Sequence, residues 1–292
     1  VATRNKTRKH NHTQNNMSLI SQMTPLRHCL AAACVLAPLS AHAHISYTGR
    51  NFGAFSGGEA PVTIENQNAG GSFGWATATD ADFGDSHRLR AYRFTLNTAL
   101  TFSISIEGMA YSTTAGTPAV TTTHIAGLLP GFSVYSGLAH IAPDKADHDG
   151  AQITLDYLAG LPGPAKEGAF RSLNDWSIGN DGPEFNPTYP AASLSHFTYV
   201  GHAVDGTAAN FGSEPGILGD GLADGRVTGT FSLPAGDYSF FVGGADFASG
   251  VGAVAPYQTY GIRATFAPVP EPATAALGLL GASAILFRRR RA

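Results

Sequence analysis

Between Tyr92 and Ile106 the chain alternates apolar and polar residues with a period of two. Tyr92, Phe94 and Leu96 are separated by Arg93 and Thr95. After Asn97-Thr98, the residues Leu100, Phe102, Ile104 and Ile106 are separated by Thr101, Ser103 and Ser105. Successive side chains of a strand point to opposite faces, so this pattern gives two half-buried β-strands and excludes an amphipathic helix. The pattern returns at Val227 to Leu233 and, after Pro234-Ala235-Gly236-Asp237, at Tyr238, Phe240 and Val242. Proline and glycine supply turn geometry there, and the spacing predicts a β-hairpin. A last strand carries Tyr260, Ile262, Ala264 and Phe266 on one face.

Shorter strands are expected at 45–48, 62–65, 73–77, 132–135, 169–173, 176–178 and 197–200, with one short helix at 155–161. Many short strands between glycine-rich turns define an all-β fold, a β-sandwich or jelly roll, as one domain over residues 44–267. Residues 137–225 are expected to form elaborated loops of that domain. The Phe94-Thr95-Leu96 strand and the Leu233-Pro234-Ala235-Gly236-Asp237-Tyr238 stretch resemble exported jelly-roll modules of the pre-peptidase C-terminal type.

Both ends of the chain read as addresses rather than fold. Residues 1–16 are basic and polar, upstream of an expected start at Met17 or Met23. Arg27, an apolar run from Cys29 to Leu39, and Ala41-His42-Ala43 then make a secretory signal peptide with an Ala-x-Ala cleavage site. Signal peptidase would release a mature N-terminus at His44, which makes 1–43 a removed segment. At the other end, residues 268–292 hold Pro270-Glu271-Pro272, an uncharged hydrophobic helix from Ala273 to Phe287, and Arg288, Arg289, Arg290 and Arg291. That apolar span is shorter than the ~20 residues of a full membrane crossing. The arginines would stay cytoplasmic by the positive-inside rule, so the tail pauses in the inner membrane with the body outside. These three parts, in this order, resemble a PEP-CTERM sorting signal of Gram-negative bacteria. The resemblance implies an exosortase partner, cleavage near Pro270-Glu271-Pro272, and a cell-surface or extracellular destination.

Both cysteines, Cys29 and Cys34, lie inside the signal peptide, so the mature body has neither disulfide nor thiol chemistry. Residues 44–267 contain 9 Lys plus Arg against 20 Asp plus Glu, a balance of −11. An acidic body excludes nucleic acid and anionic lipid as partners.

Three acidic loops are candidate calcium sites: Asp80, Asp82 and Asp85; Asp144, Asp147 and Asp149; Asp220 and Asp224. Carboxylates two residues apart on a loop can converge on one calcium ion. Against an EF-hand loop, Asp147, Asp149, Gly150 and Asp156 fall on ligand and turn positions, but Lys145 occupies the first and Asp156 replaces the final glutamate. Aspartate with glycine is also ordinary turn chemistry. His44, freed as an N-terminus, offers an amine and an imidazole to copper. The chain has no His-Glu-x-x-His helix. The expected protein is therefore not an enzyme. By the resemblance it is an exported structural or adhesive component of a polysaccharide matrix or biofilm; the alternatives are a carbohydrate- or calcium-binding module and a copper oxidative enzyme using His44.

Overall fold

The alternating segments become strands, and those strands face one another across a core of phenylalanines. The computed structural model describes residues 45–76, 83–141, 146–162, 168–183, 186–188, 190–211, 216–250 and 258–269. In order, the strands are β1 (Asn51–Phe55), β2 (Val62–Gly70), β3 (Phe83–Asp85), β4 (Arg90–Leu96), β5 (Leu100–Gly108), β6 (Tyr111–Ala115) and β7 (Val120–His124). They continue with β8 (Pro130–Ser136), β9 (Ala169–Arg171), β10 (Trp176–Gly179), β11 (Leu194–Val204), β12 (Arg226–Leu233), β13 (Gly236–Gly244) and β14 (Thr259–Pro268). A helix, α1 (Gln152–Ala159), follows β8, where the sequence had placed it at 155–161.

Six strands form one sheet in the order β1-β4-β13-β8-β11-β10, and four form a second in the order β12-β5-β14-β2. The pairs β3-β9 and β6-β7 stand apart as two-stranded ribbons. Phe94, Phe132 and Phe240 from the larger sheet meet Phe102, Ile104 and Phe266 from the smaller one in a common core. The Phe102 and Phe266 rings stack at 4.6 Å, and Phe94 meets Phe102 edge-on at 5.1 Å. Each such fully buried ring contributes roughly 1.5–3 kcal/mol through removal from water.

Three expectations need correcting. Residues 227–233 and 238–242 are strands, but they are not a hairpin: β12 lies in the four-stranded sheet beside β5, and β13 in the six-stranded sheet between β4 and β8. The β4 and β5 strands, also consecutive, likewise lie in different sheets. At Asn97-Thr98-Ala99 and at Pro234-Ala235 the chain steps from one layer to the other. The two steps match, because β4 pairs with β13 while β5 pairs with β12. Residues 45–48, expected as a strand, form none, and neither do the described residues 73–76 of the strand expected at 73–77.

The middle segment does more than decorate a sandwich. The larger sheet is buried on both faces: Phe240 enters the first core, while Phe241 packs into a second one with Trp75, Tyr135, Phe170, Trp176 and Phe197. Ile45, Tyr47, Trp75, Ala139, Phe170, Phe211 and Ile217, from segments outside that sheet, thus form a third layer. Gly131 on β8 permits this packing, since a Cβ there would lie 2.6 Å from Trp75 Cδ2. Trp75 Nε1 donates to Ser133 Oγ at 2.8 Å, which satisfies the one polar atom of that ring.

Candidate functional site

The third layer is held to the sandwich by a short polar loop, Ala146 to Gly150, between β8 and α1. Asp147, His148 and Asp149 are all buried. The loop cannot bend all three side chains to one point, and each goes to a different partner. Asp147 accepts from the His140 N–H at 2.7 Å, Ser195 Oγ at 2.5 Å and Asn180 Nδ2 at 3.0 Å. His148 Nε2 lies 2.8 Å from Asp181 Oδ2. Asp149 Oδ2 accepts from Ser86 Oγ at 2.9 Å and lies 3.2 Å from His87 Nε2.

The backbone of the loop is pinned as well. The His148 N–H donates to Gly179 O at 2.9 Å, and Thr154 Oγ1 donates to His148 O at 3.0 Å. Burial pushes the Asp147 carboxyl above the usual carboxylate range, against the hydrogen bonds from Ser195, Asn180 and His140 that hold it down.

Two of the sequence-chosen acids do come together, though not as one acidic loop. Asp85 caps a single 3-10 turn (Ser86–Arg88) through the His87 N–H at 3.1 Å. Its Oδ1 is 3.0 Å from His87 Nδ1, so the imidazole stands between Asp85 and Asp149 with a carboxylate oxygen at each ring nitrogen. Asp85 Oδ2 also accepts from Arg88 Nε at 3.0 Å. Asp147 takes no part in this group. Asp80, Asp82, Asp144, Lys145 and His44 lie outside the described residues, as do Ala41, Ala43, Pro270, Glu271, Pro272 and the arginines 288–291. Among the described residues, no three His, Cys, Asp or Glu side chains are grouped as one metal ion requires.

Ser195, His140 and Asp147 are in mutual contact, which invites comparison with a nucleophile–base–acid relay. The relay needs serine and aspartate on opposite nitrogens of the ring. Here His140 Nδ1 faces both, at 3.1 Å from Ser195 Oγ and 3.4 Å from Asp147 Oδ1, and the serine donates directly to the carboxylate. The arrangement holds a loop; it does not move a proton from a nucleophile.

A second feature lies on the outside. The outer face of the four-stranded sheet carries a row of hydroxyls, Thr228, Ser105, Thr265 and Thr63, one from each strand. Ser105 and Thr228 are bonded at 2.7 Å, and Thr63 and Thr265 at 3.0 Å. The β6-β7 ribbon repeats the theme: Ser112 pairs with Thr123 at 3.1 Å and Thr114 with Thr121 at 2.9 Å, all four exposed. Sequence reading registered the alternation that makes these faces polar but assigned them no role. It did not single out His87, whose position two residues from Asp85 was the available signal.

This is an all-β body whose last strand runs directly toward the sorting tail. The destination, export to the cell envelope or surface, is implied by that tail and not by the body. The tail supplies the particular class: residues 268–291 match the PEP-CTERM protein-sorting motif, so the chain carries an exosortase sorting signal. No curated protein matches the sequence.

Among solved structures, the chain is similar to CorA, a surface-associated copper-binding protein important in copper acquisition by Methylomicrobium album BG8. The identity is 15% and the TM-score 0.45, over 77% of this chain and 99% of CorA. It is also similar to the secreted MopE of Methylococcus capsulatus, in which an oxidized tryptophan facilitates copper binding, at 14% identity and a TM-score of 0.38 over 75% and 87% of the two chains. Likenesses this distant assign no site to this chain. Among the described residues no helix is long and apolar enough to cross a membrane.

Proposed function

We propose that the exported body is a structural, adhesive component of an extracellular polysaccharide matrix and performs no catalysis. The β6-β7 ribbon carries this reading. It projects a two-stranded ladder of threonine and serine hydroxyls into solvent, with Ser112, Thr114, Thr121 and Thr123 on one face and Thr113 and Thr122 on the other. Each bonded hydroxyl pair keeps unused donor and acceptor capacity. Along each strand the pairs repeat about every 6.6–7 Å, so the ribbon offers a regular polar array that sugar hydroxyls can meet directly or through water. The sorting signal supports the location: a tail held briefly in the inner membrane, cut by exosortase, and a body released to the surface.

The test is co-sedimentation of the secreted protein with matrix polysaccharide isolated from the same cells. A variant with Thr113, Thr114, Thr121 and Thr122 all changed to Val should lose most of its binding while keeping its circular dichroism. Equal binding by this variant, or unchanged matrix mass and cell aggregation after gene deletion, would overturn the proposal.

A further inference from the structure

Beside the hydroxyl row, the same outer face carries a second row whose charges alternate: Arg226 on β12, Glu107 on β5, Arg263 on β14 and Glu65 on β2. Arg226 stands opposite Glu107, and Glu107 opposite Arg263, in the strand register. Arg263 bridges to Glu107, and its Nη1 lies 3.7 Å from Glu65 Oε1. Glu65 stands two residues from Thr63 on β2 and so on the same face, next to a β-bulge. Between the pairs Ile262–Gln67 and Ala264–Ile64, two residues of β2 face one of β14, and Asn66 takes up the extra turn with φ 57°. Asparagine tolerates that left-handed conformation better than most residues. Arg226 makes no ion pair among the described residues.

From this pattern we propose that the outer face of the four-stranded sheet is a self-association surface, occupied by a second copy of this chain. The row reads plus, minus, plus, minus across the four strands. A two-fold axis parallel to the strands and between β5 and β14 reverses that order. The second copy then sets Glu65 over Arg226, Arg226 over Glu65, Arg263 over Glu107 and Glu107 over Arg263. All four charges meet their opposites, and Arg226 gains a partner that its own chain does not give it. Under the same operation the neighbouring row places Thr228 over Thr63 and Ser105 over Thr265, hydroxyl on hydroxyl.

The rest of the body argues for this face over others. At −11 over residues 44–267, two copies repel almost anywhere they touch, and this row is locally neutral. Strands about 4.8 Å apart make the row roughly 14 Å wide, so the interface is small and belongs to the weak class of protein contacts. The inference goes beyond the matrix role and stands without any polysaccharide.

The test is a charge swap on the secreted protein, read by sedimentation equilibrium up to about 1 mM. The wild type should show a concentration-dependent monomer–dimer equilibrium. R226E/R263E and E65R/E107R should each dimerise at least about tenfold more weakly, because like charges then face each other. An equimolar mixture of the two should regain the dimer as a heterodimer. If either double variant loses its fold by circular dichroism, the milder R226Q/E65Q pair replaces it and should weaken association several-fold. A wild type that stays monomeric at every concentration, charge-swapped variants that dimerise as well as wild type, or a mixture that fails to associate would each overturn the proposal.

Discussion

Ile45 donates its main-chain N–H to the carbonyl oxygen of Asp147 at 3.1 Å. The bond ties the first described residue of the body to the loop that holds the third layer. Two residues on, the Tyr47 hydroxyl is bonded to Ser239 Oγ at 2.7 Å and accepts from the Ala139 N–H at 3.0 Å. The folded body therefore begins by Ile45, one residue after the expected signal-peptidase cut. Mass spectrometry of the secreted protein should find His44 first; any other terminus ends the copper reading of that residue.

Tyr47→Phe keeps the ring and removes the hydroxyl, leaving the buried Ala139 N–H without its acceptor. The expected loss is about 1–3 kcal/mol in urea unfolding. A change within experimental error would mean that the N-terminal segment contributes little to the layer.

Asp205 is buried and accepts from the Gly225 N–H at 2.7 Å and the Asp224 N–H at 3.2 Å. Burial pushes its carboxyl up to about 6; the two backbone bonds oppose the shift, and Asp220 and Asp224 add to it. A folded pKa above the unfolded value means that the folded state holds the proton more tightly. Its stabilising contribution is complete below about pH 4 and is lost as pH rises to about 6, amounting to roughly 2–3 kcal/mol. Asp147, also raised by burial, acts in the same direction. The difference in unfolding free energy between wild type and Asp205→Asn should therefore change across pH 4–6 and be flat above it. A constant difference across that range would refute the assignment.

Trp75 and Gly131 test the second core from both directions. Gly131→Ala places a methyl 2.6 Å from Trp75 Cδ2, and such overpacking costs about 1–3 kcal/mol. Trp75→Phe empties part of the site and leaves Ser133 without its donor, costing about 2–4 kcal/mol. The two together should cost less than their sum, because phenylalanine frees the space that the methyl needs. Strict additivity in thermal or urea melts would show that the two residues do not share the cavity.

Val269 donates its N–H to Thr101 O at 2.9 Å, immediately before the sorting motif continues. Truncation after Val269 should leave the melting temperature within about 2 °C of the mature protein and abolish surface sorting in cell fractionation. Truncation after Ile262 removes most of β14 from the middle of its sheet and should prevent folding. A stable, sorted product from the first truncation would show that the tail is not the address.

What could be read from the sequence follows the range of the interactions involved. The strands were visible because alternation is local, and the all-β sandwich followed from them. Sheet membership was not visible. Pro234-Ala235 makes a tight bend whether the chain stays in one sheet or steps to the next, and only pairing with β4 and β5, more than a hundred residues away, decides. Phe241 read as the outward member of an alternating strand, yet it is buried because a third layer covers it. That layer is built from irregular segments with no period. At the candidate site the spacing of Asp147 and Asp149 was legible, but their partners were not. Ser86 is 63 residues from Asp149 and Ser195 is 48 from Asp147, and no local pattern announces such pairs. The sorting motif of the tail was legible, because its parts are contiguous in the sequence.

The place of β14 has a mechanical consequence. It is an interior strand, hydrogen-bonded to β5 along one side and to β2 along the other. Tension applied at the C-terminal end of the body is delivered along this strand, and both ladders resist it in shear, many bonds at once. A terminal edge strand would unzip bond by bond under the same pull. A body whose last strand lies mid-sheet is built to bear a pull at that end.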